Sequence, residues 1–239
     1  MTNEYTGIIL AAGKSSRLKK KLKIKSKIFV KINNNKDSLD YNLLILNKAK
    51  ILKVFINTHK YHKDYLSKFK NNKYKCSINL INEKKLLGTA GAISNIYNND
   101  HNVDKVIILY GDNISNINLN EIIKRHKTNK SDFSVVINKK KDAINSGVVS
   151  FDKNLVIKSF KEKPKLNKNV EVWANSGIYL TNRKTLSKID TKYKDFARDI
   201  IPELLIMNEV KVKAIKTKNK IYTIDNIDQL KNTKKKIKF

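Results

Sequence analysis

Short apolar runs of β-forming residues alternate with stretches of helical spacing along this chain, at intervals of about 25 residues. Thr6 to Leu10 ends in Ala-Ala-Gly and reads as a buried strand feeding a loop, and Lys14 to Lys27 reads as a basic loop. Ser38 to Lys50 carries Leu39, Leu43, Leu46 and Ala49 on one helical face, with Ser38 as its cap. Strands follow at Lys53 to Asn57, Ser77 to Asn82 and Lys105 to Tyr110, with helices at Lys63 to Lys70 and Gly88 to Tyr97. This alternation predicts an α/β fold with a mostly parallel sheet and helices on both faces. Ligands of such sheets bind beyond the carboxyl ends of the strands, so the loops starting at Ala11 and Gly111 are expected to share one rim.

The second half is more mixed. Asp132 to Asn138, Gly147 to Phe151, Val156 to Phe160 and Val172 to Leu180 read as strands, and Asp195 to Asn208 as a helix despite Pro202. Ile221 to Asp225 reads as a last strand before a closing helix. With no repeat and no linker, the 239 residues are read as a single domain, 1–239.

A formal net charge of +30 raises the question of polyanion binding. Nucleic-acid readers favour arginine for bidentate contacts, yet only Arg17, Arg125, Arg183 and Arg198 occur, and the lysines run through the whole chain. Lysine and asparagine share A/T-rich codons, so base composition acting on solvated faces accounts for the excess, which would still draw anionic substrates. No nucleic-acid partner is expected, and a polyanion-binding protein stays as the alternative from another class. No stretch approaches the roughly 18 apolar residues of a membrane span, and no basic leader with a cleavage site opens the chain. The single cysteine, Cys76, suits a reducing compartment. The expected location is cytoplasmic, away from membranes.

Against that drift in composition the seven glycines stand out, because glycine is needed where the backbone takes φ > 0 or lets a ligand close. Gly13 lies in Leu10-Ala11-Ala12-Gly13-Lys14-Ser15-Ser16-Arg17-Leu18, where small residues after a strand can turn backbone N–H groups towards a phosphate. The segment carries Gly13-Lys14-Ser15, but Ile8 stands where a P-loop has its first glycine, so it is not that motif; its plain alternative is a tight turn. Asp112 ends an apolar strand, where a carboxylate is out of place unless it binds something or caps a turn. A hard oxygen donor there suits Mg²⁺. No Ser-His-Asp or Cys-His set suggests a covalent nucleophile.

These segments resemble, in order and through nearly the whole chain, the sugar-1-phosphate nucleotidyltransferases that make nucleoside-diphosphate sugars. The opening loop is similar to theirs; Ser26 to Ile32 stands at their Pro-Lys-Pro segment, and Leu39 to Leu43 at their first helix. Glu83 to Ala92 resembles their nucleobase loop, Tyr110-Gly111-Asp112 their metal-binding Gly-Asp, and Glu162-Lys163-Pro164 with Asn175-Ser176-Gly177 their sugar-phosphate segments. The resemblance implies a Rossmann-like three-layer sandwich, with 1–115 as the nucleotide-binding half and 116–239 as the sugar-phosphate half. It implies transfer of a nucleotidyl group from a nucleoside triphosphate to a sugar 1-phosphate, releasing pyrophosphate, with Mg²⁺ as cofactor.

Residue by residue, Arg17 and Lys27 would hold the triphosphate, and Asp112 with Asp225, preferred to Asp228, would hold the metal. Leu10, Ala11, Ala12, Gly13, Lys14, Ser15, Ser16, Glu83, Gly88 and Thr89 would bind the nucleotide. Lys163 would grip the sugar phosphate, and Gly147, Glu162, Asn175 and Gly177 would face the sugar. Asn175 also reads as a turn residue, and Trp173 as core. A carboxylate at Glu83 complements the two donors of guanine's Watson–Crick edge, which with Asp195 to Pro202 points to mannose- or heptose-1-phosphate guanylyltransferases and to a product used for surface polysaccharide. Thymidylyl, uridylyl and cytidylyl transfer stay open, as do a pseudoenzyme, a molybdenum-cofactor or isoprenoid-type nucleotidyltransferase, and a homo-oligomer. The chain departs from the family pattern at Ser15, at Ser26 and Ile28 in place of two prolines, and after Asp225, where Gly-Thr-Pro is missing.

Overall fold

A computed structural model describes residues 4–13, 18, 22–33, 35–141, 143, 146–165, 170–190 and 194–237. In chain order these form β1 (Thr6–Leu10), a 3-10 turn (Lys27–Phe29), α1 (Ser38–Lys48), β2 (Lys53–Thr58), α2 (His62–Phe69), β3 (Ser77–Asn82), α3 (Gly88–Asn99), β4 (Val106–Tyr110) and β5 (Asn113–Ile114). Then come α4 (Leu119–Thr128), β6 (Phe133–Lys140), β7 (Gly147–Phe151), β8 (Ile157–Glu162), β9 (Val172–Thr181) and α5 (Arg183–Leu186). A π-helical turn (Phe196–Ile200), α6 (Ile201–Ile206), β10 (Val212–Thr217), β11 (Tyr222–Thr223) and α7 (Ile227–Lys236) complete the chain. The class is the expected one, strands in mixed, mostly parallel pairing flanked by helices. No helix among the described residues is long and apolar enough to cross a membrane.

Two compact units emerge. The first comprises Met1–Leu86, Ile108–Leu119 and Lys220–Phe239. Within it β2 is parallel to β1, from Gly7↔Val54 to Leu10↔Asn57, and to β3, from Lys53↔Ser77 to Thr58↔Asn82. Leu39, Leu43 and Leu46 of α1 are wholly buried, each contributing about 1.5–3 kcal/mol by leaving water. Ser38 is not the cap of α1. Asp37 caps it, accepting from the Leu39 and Asp40 amides while Asp40 accepts from the Asp37 amide. The Ser38 hydroxyl donates to the Ile28 carbonyl instead, at 3.2 Å. The expected strand at Ile221 to Asp225 shrinks to β11, antiparallel to β5 through Tyr222↔Ile114 and Thr223↔Asn113.

The second unit comprises Leu87–Ile107 and Asn120–Asn219. Here β6 is parallel to β10 and antiparallel to β9, and β7 and β8 form an antiparallel pair. The helix expected over Asp195 to Asn208 is interrupted. Pro202 cannot donate to the preceding turn, and the chain passes from one π-helical turn into a short α6 with proline in its first turn. Trp173 is half-buried rather than core. Its indole meets Phe151 edge-on, and the ammonium groups of Lys139 and Lys216 lie 5.7 and 5.3 Å from its ring centroid.

α4 is amphipathic, and its inward face ends at His126, 7% exposed, with Nδ1 2.8 Å from the Ser134 hydroxyl. Burial holds the imidazole down to about 4 from its ordinary 6.5. The unfolded chain therefore binds a proton that the folded one refuses between these values, and stability present above pH 6.5 is lost as pH falls towards 4. The expected loss is about 3 kcal/mol. Urea unfolding across this range checks it, and His126→Gln should flatten that part of the profile.

Candidate active site

In the first unit, two carboxylates from distant parts of the chain converge on one ammonium. Lys27 Nζ donates to Asp112 Oδ2 and, at 2.5 Å, to Asp225 Oδ1. The Lys27 side chain is 15% exposed and those of the aspartates 20% and 32%. Burial pushes the Lys27 pKa down, but Asp112 and Asp225 more than offset this and raise it above its ordinary value. The site is thus an anionic pair closed around a cation.

Local structure explains how each member is held. Ser26, standing where a proline was expected, caps the 3-10 turn by accepting from the Ile28 amide, and Ile28, at the second such position, is a buried anchor. A cap and a buried side chain do here what fixed φ angles would do. Asp112 sits on the turn after β4. Gly111 is needed there, since a Cβ would lie 2.8 Å from the Leu10 carbonyl, to which the Gly111 amide donates at 2.9 Å. The loops after β1 and β4 therefore leave from one rim, as expected.

Asn42, buried in α1, donates to the Gly111 and Asn113 carbonyls at 3.3 and 3.1 Å and so holds the Asp112 turn from both sides. The pairing of β5 with β11 ties the Asp112 and Asp225 segments together, and the Asp225 amide donates to Gln229 in the first turn of α7. Asn42 was missed in the sequence because nothing distinguishes it there among so many asparagines.

The opening loop is anchored at its stem. Ala11 is 2% exposed; its amide donates to Asn57 Oδ1 at 2.7 Å and its carbonyl accepts from the Tyr65 hydroxyl at 3.1 Å. Its N–H is therefore spent on the protein, and phosphate contacts would fall to later residues. Ala12 is half-buried and Gly13 exposed, with open space where a Gly13 Cβ would be. Lys14, Ser15, Ser16 and Arg17 lie outside the described residues. Leu10 is half-buried. Glu83 is 4% exposed, and its Oε1 accepts from Asn57 Nδ2 at 2.8 Å.

The other expected residues belong to the second unit. Gly88 is exposed at the start of α3. The Thr89 hydroxyl donates to Asp195 at 2.9 Å and accepts from the Phe196 amide at 2.8 Å, which fastens α3 to the π-helical turn. Asn175 uses its side chain within β9, donating to the Tyr179 hydroxyl at 2.6 Å and accepting from the Gly177 amide at 2.9 Å. Its turn-forming reading thus has a concrete geometry, at the irregularity in β6–β9 pairing.

Gly147 faces Glu162 across the β7–β8 pair. A Cβ on Gly147 would lie 2.4 Å from Phe160 Cζ and 2.9 Å from Glu162 Oε2. Burial raises the Glu162 pKa above its ordinary value, with Lys163 opposing and Asp195 adding to the rise. Lys163 is half exposed, its Nζ 3.7 Å from Glu162.

Among the described residues no group of three or more His, Cys, Asp or Glu side chains forms a self-sufficient metal cage. Asp112 and Asp225 nevertheless fit Mg²⁺. Both are hard oxygen donors already gathered around one positive charge, and Mg²⁺ habitually takes one or two carboxylates and completes its shell with phosphate and water.

The structure thus combines an α/β scaffold with two aspartates gathered on one lysine at the strand ends. The chain belongs to the nucleotidyl transferase family, which its residues 6–232 match. The D-glycero-alpha-D-manno-heptose 1-phosphate guanylyltransferase of Aneurinibacillus thermoaerophilus is 31% identical over 176 residues, 74% of each chain. A glucose-1-phosphate adenylyltransferase of Clostridium botulinum is 33% identical over 132 residues, 49% of this chain. Some relatives are much longer: the chain spans 33% of that adenylyltransferase and 54% of a relative from Sulfolobus acidocaldarius. Among solved structures, HddC from Yersinia pseudotuberculosis complexed with GMP-PN matches with a TM-score of 0.80 and 25% identity, over 98% of this chain and 100% of that one.

Proposed function

We propose that this chain joins a nucleoside triphosphate to a sugar 1-phosphate, releasing pyrophosphate, and that guanylyl transfer to a mannose- or heptose-type sugar is its reaction. The observation that carries this reading is the convergence of Asp112 and Asp225 on the Lys27 ammonium. Guanine is supported by the heptose 1-phosphate guanylyltransferase relative and by the likeness to a protein solved with GMP-PN. The adenylyltransferase relative makes adenylyl transfer the second reading.

A sugar phosphate oxygen attacks the α-phosphorus in line, forming one P–O bond as the bond to pyrophosphate breaks. Mg²⁺ held by Asp112 and Asp225 would supply charge neutralisation on the triphosphate. Lys27, positive at every working pH, would meet the charge that builds on the transferring group. Lys163 would receive the sugar phosphate, its exposed ammonium kept near Glu162. Glu162 would accept from sugar hydroxyls in a position set by Gly147 and Phe160. Positioning of two anions supplies the remainder.

The test is pyrophosphate release with Mg²⁺ across GTP, CTP, UTP, dTTP and ATP, each paired with mannose, glucose and heptose 1-phosphates. Release that requires both substrates supports the reading, and silence from folded protein across every pair sinks it. A finer test lies in Gly147→Ala. The new methyl must displace Phe160 and the Glu162 carboxylate, costing about 1–3 kcal/mol of stability. It should raise KM for the sugar phosphate about tenfold, with KM for the triphosphate almost unmoved. Equal rises in both KM values would remove Glu162 from the sugar side.

A further inference from the structure

We infer that Asn57 is a positioning residue that couples Glu83 to the stem of the triphosphate loop, so that Glu83 acts on the nucleotide through Ala11. This rests on the nucleotidyltransferase reading above. Glu83 would read a base directly only by turning its carboxylate outward, and its side chain is instead drawn in. The residue is 4% exposed, its amide donates to the Thr58 carbonyl at 2.7 Å, its carbonyl lies 2.7 Å from His59 Nδ1, and Oε1 accepts from Asn57.

Asn57, also 4% exposed, lies near the end of β2 and spans the gap with its two ends in opposite roles. Its Nδ2 donates to Glu83 and its Oδ1 accepts from the Ala11 amide at 2.7 Å. The carboxylate can only accept and the amide N–H can only donate, so an amide side chain is the group that serves both. Tyr65 fixes the Ala11 carbonyl from α2, and the Phe29 ring of the Lys27 segment lies 4.6 Å from the Tyr65 ring. The direction in which the loop leaves β1 is thus set by three neighbouring elements, and Asn57 is the link that reaches the nucleobase segment.

The polarity of this relay makes it testable by reversal. In Asn57→Asp the donor to Glu83 is replaced by an acceptor, two carboxylates face each other, and the Ala11 bond survives only if the side chain tolerates that repulsion. Adding Glu83→Gln restores a donor on the opposite side. Binding of each of the five triphosphates alone, by titration calorimetry, reads the effect, with circular dichroism and thermal unfolding reporting the fold.

Asn57→Asp should weaken the preferred triphosphate by roughly tenfold or more, and the double variant should recover most of that loss. Glu83→Gln alone should keep the order of preference among the five triphosphates. A double variant no better than Asn57→Asp, or a Glu83→Gln that exchanges the preferred base, would overturn the relay while leaving the nucleotidyltransferase reading intact. Wild-type protein that binds none of the five would take both down. Asn57→Ala, which adds no charge, replaces Asn57→Asp in the experiment if the latter does not fold: a roughly tenfold loss supports the relay, and unchanged affinity overturns it.

Discussion

Asp112→Asn is expected to lower kcat by about 10²–10³-fold while leaving the fold in place. The turn that carries Asp112 is held by backbone and by other side chains: Asn42 at Gly111 and Asn113, the Gly111 amide at Leu10, and β5 on β11. An isosteric amide keeps that geometry and removes one formal charge. Lys27 keeps Asp225 as partner, so the stability change should stay within about 1–2 kcal/mol. The variant loses a hard anionic donor for the cation, and with it the placement of Lys27. Steady-state kinetics at saturating Mg²⁺, with urea unfolding as control, check both parts. A variant with kcat within about threefold of wild type would show that the reaction does not use this pair.

Lys27→Met carries the second large effect, and a readout separate from activity. In wild-type protein the ammonium lies between Asp112 and Asp225. Removing it takes the shared ammonium from two neighbouring carboxylates, at partly exposed positions where water softens the added repulsion. In buffer with chelator the variant should lose about 1–3 kcal/mol of stability, and Mg²⁺ should restore it. Cation affinity measured without nucleotide should exceed that of wild type, because no tethered ammonium competes for the carboxylates. Turnover should nevertheless fall by about 10²-fold or more, since charge at the transferring group is no longer met. Equal stability of variant and wild type in chelator would show that Lys27 does not hold the two aspartates together. Methionine keeps most of the stem volume, so lost packing is a small part of the expected change.

Much of the scaffold was legible because apolar periodicity is written locally. The ends of β3 and β7 fall where the pattern put them, and α1, β2 and β9 begin there. The two longest elements to escape are α4 and β10. The stripe Leu119, Ile122, Ile123 and His126 of α4 has helical spacing but follows an asparagine-rich run and is crowded by Lys124, Arg125 and Lys127. In β10 (VKAIKT) lysines interrupt the apolar run, so a strand lying parallel to β6 passed as solvated chain. The composition that made the glycines conspicuous is the same one that hid these segments.

The site divides along the same line. The order of small-residue loop, lysine segment, Gly-Asp and late aspartate is a one-dimensional signal, and from it came the family resemblance and the expected charged members Lys27, Asp112 and Asp225, while the α/β class came from the alternation of strands and helices. Which groups meet is a property of three dimensions. Lys27 and Asp225 are 198 positions apart in the chain, and no local propensity reports a contact between them. Nor could the sequence say that the Ala11 amide is taken by Asn57, that Glu83 turns inward, or that Gly147 makes room for Phe160 and Glu162. Sequence alone determined where chemistry-bearing residues stand relative to the strand ends, because hydrophobic burial repeats with each element's own period. Only the folded chain decided their partners, because a hydrogen bond or an ion pair is set by side-chain direction at a few ångströms, where strands and helices from distant segments have already been brought together.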